Sequence, residues 1–278
     1  MISFGPGGNS ASWGNRKFPA ELPRYLKDLG LNGYEVECGR GVRISEAAKA
    51  LPKLAEENGI NVTLHAPYFI SLSSVEEEKR QNSVNYILES AKAAKLVGAT
   101  KIVVHSGSCS KMSRAEAVYL AKQTLENAQK ALDENGLSEI VICPETMGKI
   151  NQLGTLEEVL ELCGVDERFL PTVDFGHLNA RTLGGIKMRE DYAKMLDLIE
   201  NELGHERLSR MHIHFSKIMY TSGGEKKHLT FADEQYGPQY EPLMEEIRKR
   251  GLEPSIICES DGTQAEDAAE MKRYYESL

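Results

Sequence analysis

Short apolar runs rich in β-branched residues recur along the chain, and each ends on a polar or charged residue. The runs INVTLH, TKIVVH, EIVICPE, LPTVDFGH, LSRMHIH and PSIICE close on His65, His105, Glu145, Asp174 with His177, His212 with His214, and Glu259. Runs of this length and composition read as strands buried on both faces. Between them lie segments long enough for helices. The alternation predicts strands at Ile2–Gly5, Gly33–Glu37, Asn61–His65, Lys101–His105, Glu139–Pro144, Leu170–Asp174, Arg210–His214 and Ser255–Glu259. Helices are expected at Ala20–Leu29, Ser45–Asn58, Val75–Val97, Arg114–Asn135, Leu156–Cys163, Arg189–Leu203, Tyr240–Arg250 and Gln264–Ser277. Ser216–Gly237 is read as a long loop. Gly30, Gly59, Gly98, Gly136 and Gly251 each stand just past a helical segment, where a left-handed C-cap is expected.

Alternating strand and helix imply a parallel sheet. At 278 residues the chain has the usual size of one (β/α)8 TIM barrel, so residues 1–278 are expected to form a single domain of that class. In such a barrel the C-terminal strand ends converge on one mouth. The polar residues that end the apolar runs are therefore expected to face one small volume.

Composition changes this picture little. Hydrophobic content of 41% and charged content of 27% suit a soluble globular protein. No apolar stretch approaches the roughly 20 residues needed to cross a bilayer, and no secretory signal is visible, so no membrane association and a cytoplasmic location are expected. The five cysteines are odd in number and lack CxxC spacing, which fits reduced thiols. A net charge of -9 speaks against nonspecific nucleic-acid binding. Bound divalent ions at the mouth would offset that objection locally.

The candidate chemistry rests on imidazole and carboxylate. Of the seven histidines, only His205 sits in an evident surface turn, LGHER. A single strand-end histidine is usually just a hydrogen-bonded polar residue, and Glu145 or Glu259 alone could cap a helix. The whole set points instead to a metal site, because rigid strand ends hold nitrogen and oxygen ligands in fixed geometry. Asp174 and His177 are spaced to present both side chains to one site, and His212 and His214 project to the same side of their strand.

The motifs LHAPY, VVHSGS, PETMGK, VDFGH, MHIHFSK and CESDGTQAED, in this order, resemble the endonuclease IV family of the xylose-isomerase-like TIM barrels. The match runs from about residue 60 to the C-terminus. The resemblance implies cleavage of DNA 5′ to abasic sites by a hydroxide activated by two or three metal ions, usually zinc, with manganese or iron as alternatives. His65 and His105 would bind the first metal, and Glu145 would bridge the first and second. Asp174, His212 and Glu259 would complete the second, and His177 and His228 would bind the third. Glu145 and Glu259 would also be the candidate proton acceptors.

The chain departs from the family pattern in several places. Lys226 stands where the third site has an aspartate, with Glu225 one residue further back as its substitute. His214 replaces a non-histidine polar residue and is an additional candidate, as a ligand or as support for one. After strand 2 the chain carries GRGVRI, with Arg40 and Arg43 as candidate phosphate contacts, in place of a DNA-reading loop. By the resemblance Tyr68 stands where the family contacts substrate, with a packing role as the alternative. Glu37 is a strand-end acid outside the pattern and favours a small-molecule substrate. The partner is thus abasic-site DNA or, as the alternative, a small sugar for a one-metal isomerase or epimerase. A non-enzymatic metal-binding protein is the third class. A monomer is expected.

Overall fold

The structure, a computed structural model, describes residues 1–278. Its ten strands are β1 (Ser3–Pro6), β2 (Gly33–Glu37), β3 (Asn61–His65), β4 (Lys101–His105), β5 (Val141–Glu145), β6 (Thr172–Asp174), β7 (His212–Phe215), β8 (Ile218–Thr221), β9 (Gly224–His228) and β10 (Ser255–Cys258). Eight of them form one parallel sheet in the order β1-β10-β7-β6-β5-β4-β3-β2. The sheet closes where the outermost strands meet: Gly7 bridges Glu35, and Gly8 N–H donates to the Glu35 carbonyl at 3.0 Å. The (β/α)8 barrel expected from the alternation is therefore the fold.

The α-helices are α1 (Leu22–Asp28), α2 (Leu51–Asn58), α3 (Glu77–Val97), α4 (Arg114–Glu134), α5 (Leu156–Cys163), α6 (Phe175–Arg181), α7 (Arg189–Leu203), α8 (His205–Ser209), α9 (Glu241–Arg250) and α10 (Gln264–Ser277). All but α6 and α8 occupy the expected segments. The apolar faces of the helices and the outer faces of the strands make one cluster of 66 buried hydrophobic residues. The five predicted C-cap glycines all have positive φ, between 63° and 75°.

Three features lie outside the sequence expectation. Helix α6 begins directly on β6, because the Asp174 carboxylate caps it by accepting from His177 N–H at 2.8 Å. The five-residue α8 takes in His205, Glu206 and Arg207 of the LGHER turn. Within the segment read as a loop, β8 and β9 form an antiparallel hairpin. Ser222 and Gly223 make its two-residue turn, a common hairpin connection. No helix is long and apolar enough to cross a membrane.

The inside of the barrel is polar. Glu35, Thr63, His212 and His214 are all fully buried there. A buried charge needs partners, and Glu35 finds them in Thr63, His212 and His214.

Candidate metal centre

The strand ends bring donors together in overlapping groups, each with ligand atoms within 4.8 Å of one another. His214 groups with His65 and Glu259 and with Glu35 and His212, and three further sets span the mouth. The first is His65, His105 and Glu145. Its members end the adjacent strands β3, β4 and β5, with His105 directly opposite Glu145 in the register. His65 Nε2 lies 3.4 Å and His105 Nε2 3.3 Å from Glu145 Oε2. The second set is Glu145, Asp174, His214 and Glu259, so Glu145 belongs to both. The third is His177, Glu225 and His228.

Local structure aims these groups. His65 Nδ1 lies 2.8 Å from the Ala66 carbonyl, and His177 Nδ1 lies 2.9 Å from the Thr146 carbonyl. Each ring thus donates to the main chain through Nδ1 and keeps the Nε2 lone pair for a cation. The hairpin explains how Glu225 joins His228. Residues two apart share a face of a strand, and residues three apart do not. Here Tyr220 faces Glu225 while Met219 faces Lys227, so Lys226 is an extra, bulged residue. The bulge shifts the alternation by one and puts Glu225 and His228 on one face. Glu225 also needs Gly148 beneath it: a Cβ on Gly148 would lie 2.6 Å from Glu225 Cβ. Glu225 N–H donates to the Gly148 carbonyl at 3.0 Å and fixes the hairpin there.

On β7 the arrangement differs from the expected assignment. His214, two residues nearer the mouth, shares the set with Asp174 and Glu259. Its Nδ1 is 2.9 Å from Glu145 Oε1 and 3.6 Å from Glu259 Oε1. His212 lies deeper, with Nε2 3.0 Å from Glu35 Oε2. Glu35 does not end an apolar run, and the strand-end pattern passes over it. The alternation in GYEVE is its signal, since it puts Glu35 on the same side of β2 as Glu37.

Above these sets the mouth opens into a cavity of about 520 Å³, whose wall includes Gly7, Glu37, Tyr68, Lys149 and Gln264. Arg40 Nε donates to the Tyr68 hydroxyl at 2.9 Å and holds that ring at the rim. Arg43, Lys226 and Lys227 are not part of the wall. Trp13 is buried and packs edge-on against Tyr25.

The electrostatics are those of a crowded, largely buried cluster of acids and imidazoles. Burial, with Glu145, Asp174 and Glu37 nearby, pushes the Glu259 carboxyl up to about 8. Burial disfavours the His65 cation, but the neighbouring carboxylates of Glu145 and Glu37 raise its imidazole to about 10. His177 is raised to about 9 against burial, chiefly by Asp174 and Glu225. Burial drives His212 down to about 4. Glu145 Oε2 and Asp174 Oδ2 are buried and accept no hydrogen bond. Unsatisfied buried carboxylate oxygens are costly. A divalent cation would satisfy both, and the all-nitrogen-and-oxygen donor set suits zinc, manganese or iron.

This cluster predicts a pH dependence. Glu259, His65 and His177 all bind protons more tightly in the folded chain than their ordinary values of 4.5 and 6.5 allow. Their contribution is present below those ordinary values and lost as pH rises through the folded ones. The metal-free chain should therefore lose stability from about pH 4.5 for Glu259, and from about 6.5 for the two histidines, up to about pH 10. The loss should be at least about 1.4 kcal/mol, the worth of one pKa unit. With saturating metal the trend should weaken or reverse, because metal competes with those protons. Urea midpoints at about pH 6 and pH 9, with chelator and with zinc, measure both.

The model of the family described as xylose isomerase-like TIM barrel matches residues 23–277. An uncharacterized protein of Methanocaldococcus jannaschii is 33% identical over 90% of this chain and 90% of its own length. A probable endonuclease 4 of Acholeplasma laidlawii is 31% identical over 62% of this chain, and the match covers 58% of that relative. Among solved structures, a D-tagatose 3-epimerase-like protein has a TM-score of 0.70 at 18% identity, over 99% of this chain and 97% of its own. Endonuclease IV from Thermus thermophilus has a TM-score of 0.67 at 22% identity, over 93% of each chain. At these identities the structural likenesses speak for the fold alone. The strand order, the run of strand-end motifs and the match over most of its length agree, and the chain belongs to the xylose isomerase-like TIM barrel family.

Proposed function

We propose that the chain is a metal-dependent phosphodiesterase of the endonuclease IV kind, cleaving DNA 5′ to abasic sites with two or three bound ions, zinc first among the candidates. The supporting observation is the number of donor sets. A one-metal isomerase needs only the set at Glu145, Asp174, His214 and Glu259. His65 and His105 build a second set around Glu145, and His177, Glu225 and His228 build a third. Bound divalent ions supply a water of near-neutral pKa and neutralise phosphoryl oxygens. The chain's own part is to hold and orient those ions and to accept a proton. Glu145 and Glu259 line the cavity and are the carboxylates offered as proton acceptors. Lys149 on the cavity wall gives an entering phosphodiester a cationic contact, and Tyr68 gives it an aromatic edge. Five free cysteines support a reducing, cytoplasmic setting.

A second reading is favoured by one specific observation. Glu37 projects its carboxylate onto the cavity wall, where it would repel a phosphate and would bind the hydroxyls of a sugar. Under this reading the chain epimerises or isomerises a small sugar with one ion. Two assays on the same metal-loaded protein separate the readings. Incision of a duplex oligonucleotide at a single abasic site is the expected result. Epimerisation of a ketose with no incision would overturn the phosphodiesterase reading.

The third set carries its own prediction. Deleting Lys226 removes the bulge but leaves Glu225 and His228 two residues apart in a regular strand, still on one face. The deletion should therefore keep the third metal equivalent, whereas Glu225→Ala should cost one equivalent per chain and leave the other two sets loaded. Elemental analysis of the two variants beside the parent protein checks this.

A further inference from the structure

Beneath the donor sets lies a second layer of polar side chains inside the barrel, centred on Glu35. It is fully buried in the middle of β2. Three groups satisfy its carboxylate. Thr63 Oγ1 donates to Oε2 at 2.7 Å. His212 Nε2 approaches Oε2 at 3.0 Å, and His214 Nε2 approaches Oε1 at 2.8 Å. His214 is therefore gripped at both ring nitrogens. Nε2 faces Glu35 below, and Nδ1 faces Glu145 and Glu259 above. A carboxylate that accepts the far N–H of an imidazole fixes both the ring's orientation and which nitrogen is left to ligate. The other polar group against the Nε2 side of the ring is His212, with the two Nε2 atoms 3.1 Å apart. His212 Nδ1 has no partner, and its Nε2 already faces Glu35 Oε2. Glu35 is thus the one anion beneath His214 that can take its Nε2 proton in a hydrogen bond.

We propose that Glu35 is the positioning residue for His214: from inside the barrel it locks the ring so that Nδ1 points into the set formed with Glu145, Asp174 and Glu259. This rests on the metal reading of the mouth and holds for either substrate. Glu35 acts through His214 and touches no substrate. Its cost is also visible. A carboxylate at the centre of a strand inside a closed barrel is tolerated only because Thr63, His212 and His214 surround it.

The test uses the full chain and zinc, with affinity read by competition against a chromogenic chelator. Glu35→Asp keeps the charge but falls one methylene short of the ring. Glu35→Gln keeps an oxygen at the same reach. Glu35→Asp should weaken one zinc equivalent about 10- to 100-fold, the usual effect of losing an outer-shell partner, and leave any others unchanged. Glu35→Gln should keep most of the affinity. In cobalt-substituted protein the visible spectrum should shift in Glu35→Asp and stay close to the parent's in Glu35→Gln, which a purely structural role would not produce. Unfolding curves of the metal-free variants show whether either has lost the fold. Parent-like zinc affinity in Glu35→Asp would overturn the positioning role while leaving the metal reading intact. A parent protein that binds no zinc would overturn both.

Discussion

Glu145→Ala is expected to empty the two donor sets it joins while the barrel stays folded. Glu145 is the one side chain common to the first two donor sets. Its Oε2 faces His65 and His105 at 3.4 and 3.3 Å, and its Oε1 faces His214 at 2.9 Å. Loss of a supporting residue typically costs about 10- to 100-fold in metal affinity. Loss of a group shared by two sites should exceed that range at both, so activity and metal content should fall together. The fold should survive, because the 66-residue hydrophobic cluster does not include Glu145. Removing it also relieves a charge that the metal-free site accommodates only through its imidazoles. Metal titration and circular dichroism of the purified variant decide the matter. Parent-like zinc binding without this carboxylate would mean that the two sets are not sites.

The second large effect lies at the seam of the barrel. Gly5→Ala should prevent closure or cost more than about 4 kcal/mol, the range reserved for a few severe mechanisms. The strands β1 and β2 meet with Gly5 against Gly33. A Cβ on Gly5 would lie 2.0 Å from the Gly33 carbonyl oxygen and 2.2 Å from its carbon. Both atoms are backbone, so no side chain can rotate away. Ordinary overpacking costs about 1–3 kcal/mol because side chains and backbone can adjust. Here relief requires the two strands to part, which would break the Gly8–Glu35 bond and the Gly7–Glu35 bridge that close the sheet. Gly223→Ala is the control. Its new Cβ would meet nothing nearer than Thr221 Oγ1 at 3.9 Å, so its effect should fall within about 0.5 kcal/mol. Urea denaturation of the two variants, or failure of Gly5→Ala to give soluble protein, reads the difference.

Much of the barrel is legible in the chain because its strands are short apolar runs and its helices end on glycines. Those signals depend only on local chemistry. The strand-end polar residues are legible as a set, since one histidine or acid closing an apolar run is ordinary and six runs closing the same way are not. What is not legible depends on contacts between distant residues. The β8–β9 hairpin carries GEKKH, a charged segment with no apolar alternation, and main-chain bonds at Gly148 and Gly223 tie it to the loop after β5. The bulge at Lys226 is set by that pairing, so the spacing of Glu225 and His228 does not convert into a shared face from sequence alone. The choice between His212 and His214 turns on depth along β7, which alternation leaves open because both point inward. Glu35 sits in mid-strand, where an acid looks like an interruption until its partners from β3 and β7 are in place. The Gly5–Gly33 contact joins strands 28 residues apart and leaves no local mark.

The account stands on the mouth being a centre for more than one metal ion. The most direct measurement is elemental analysis of the parent protein, purified without chelator and compared with its own concentration by amino-acid analysis. Two or three equivalents of zinc, manganese or iron per chain is the predicted result. One equivalent would reduce the centre to an isomerase-like site, and none would contradict the account altogether.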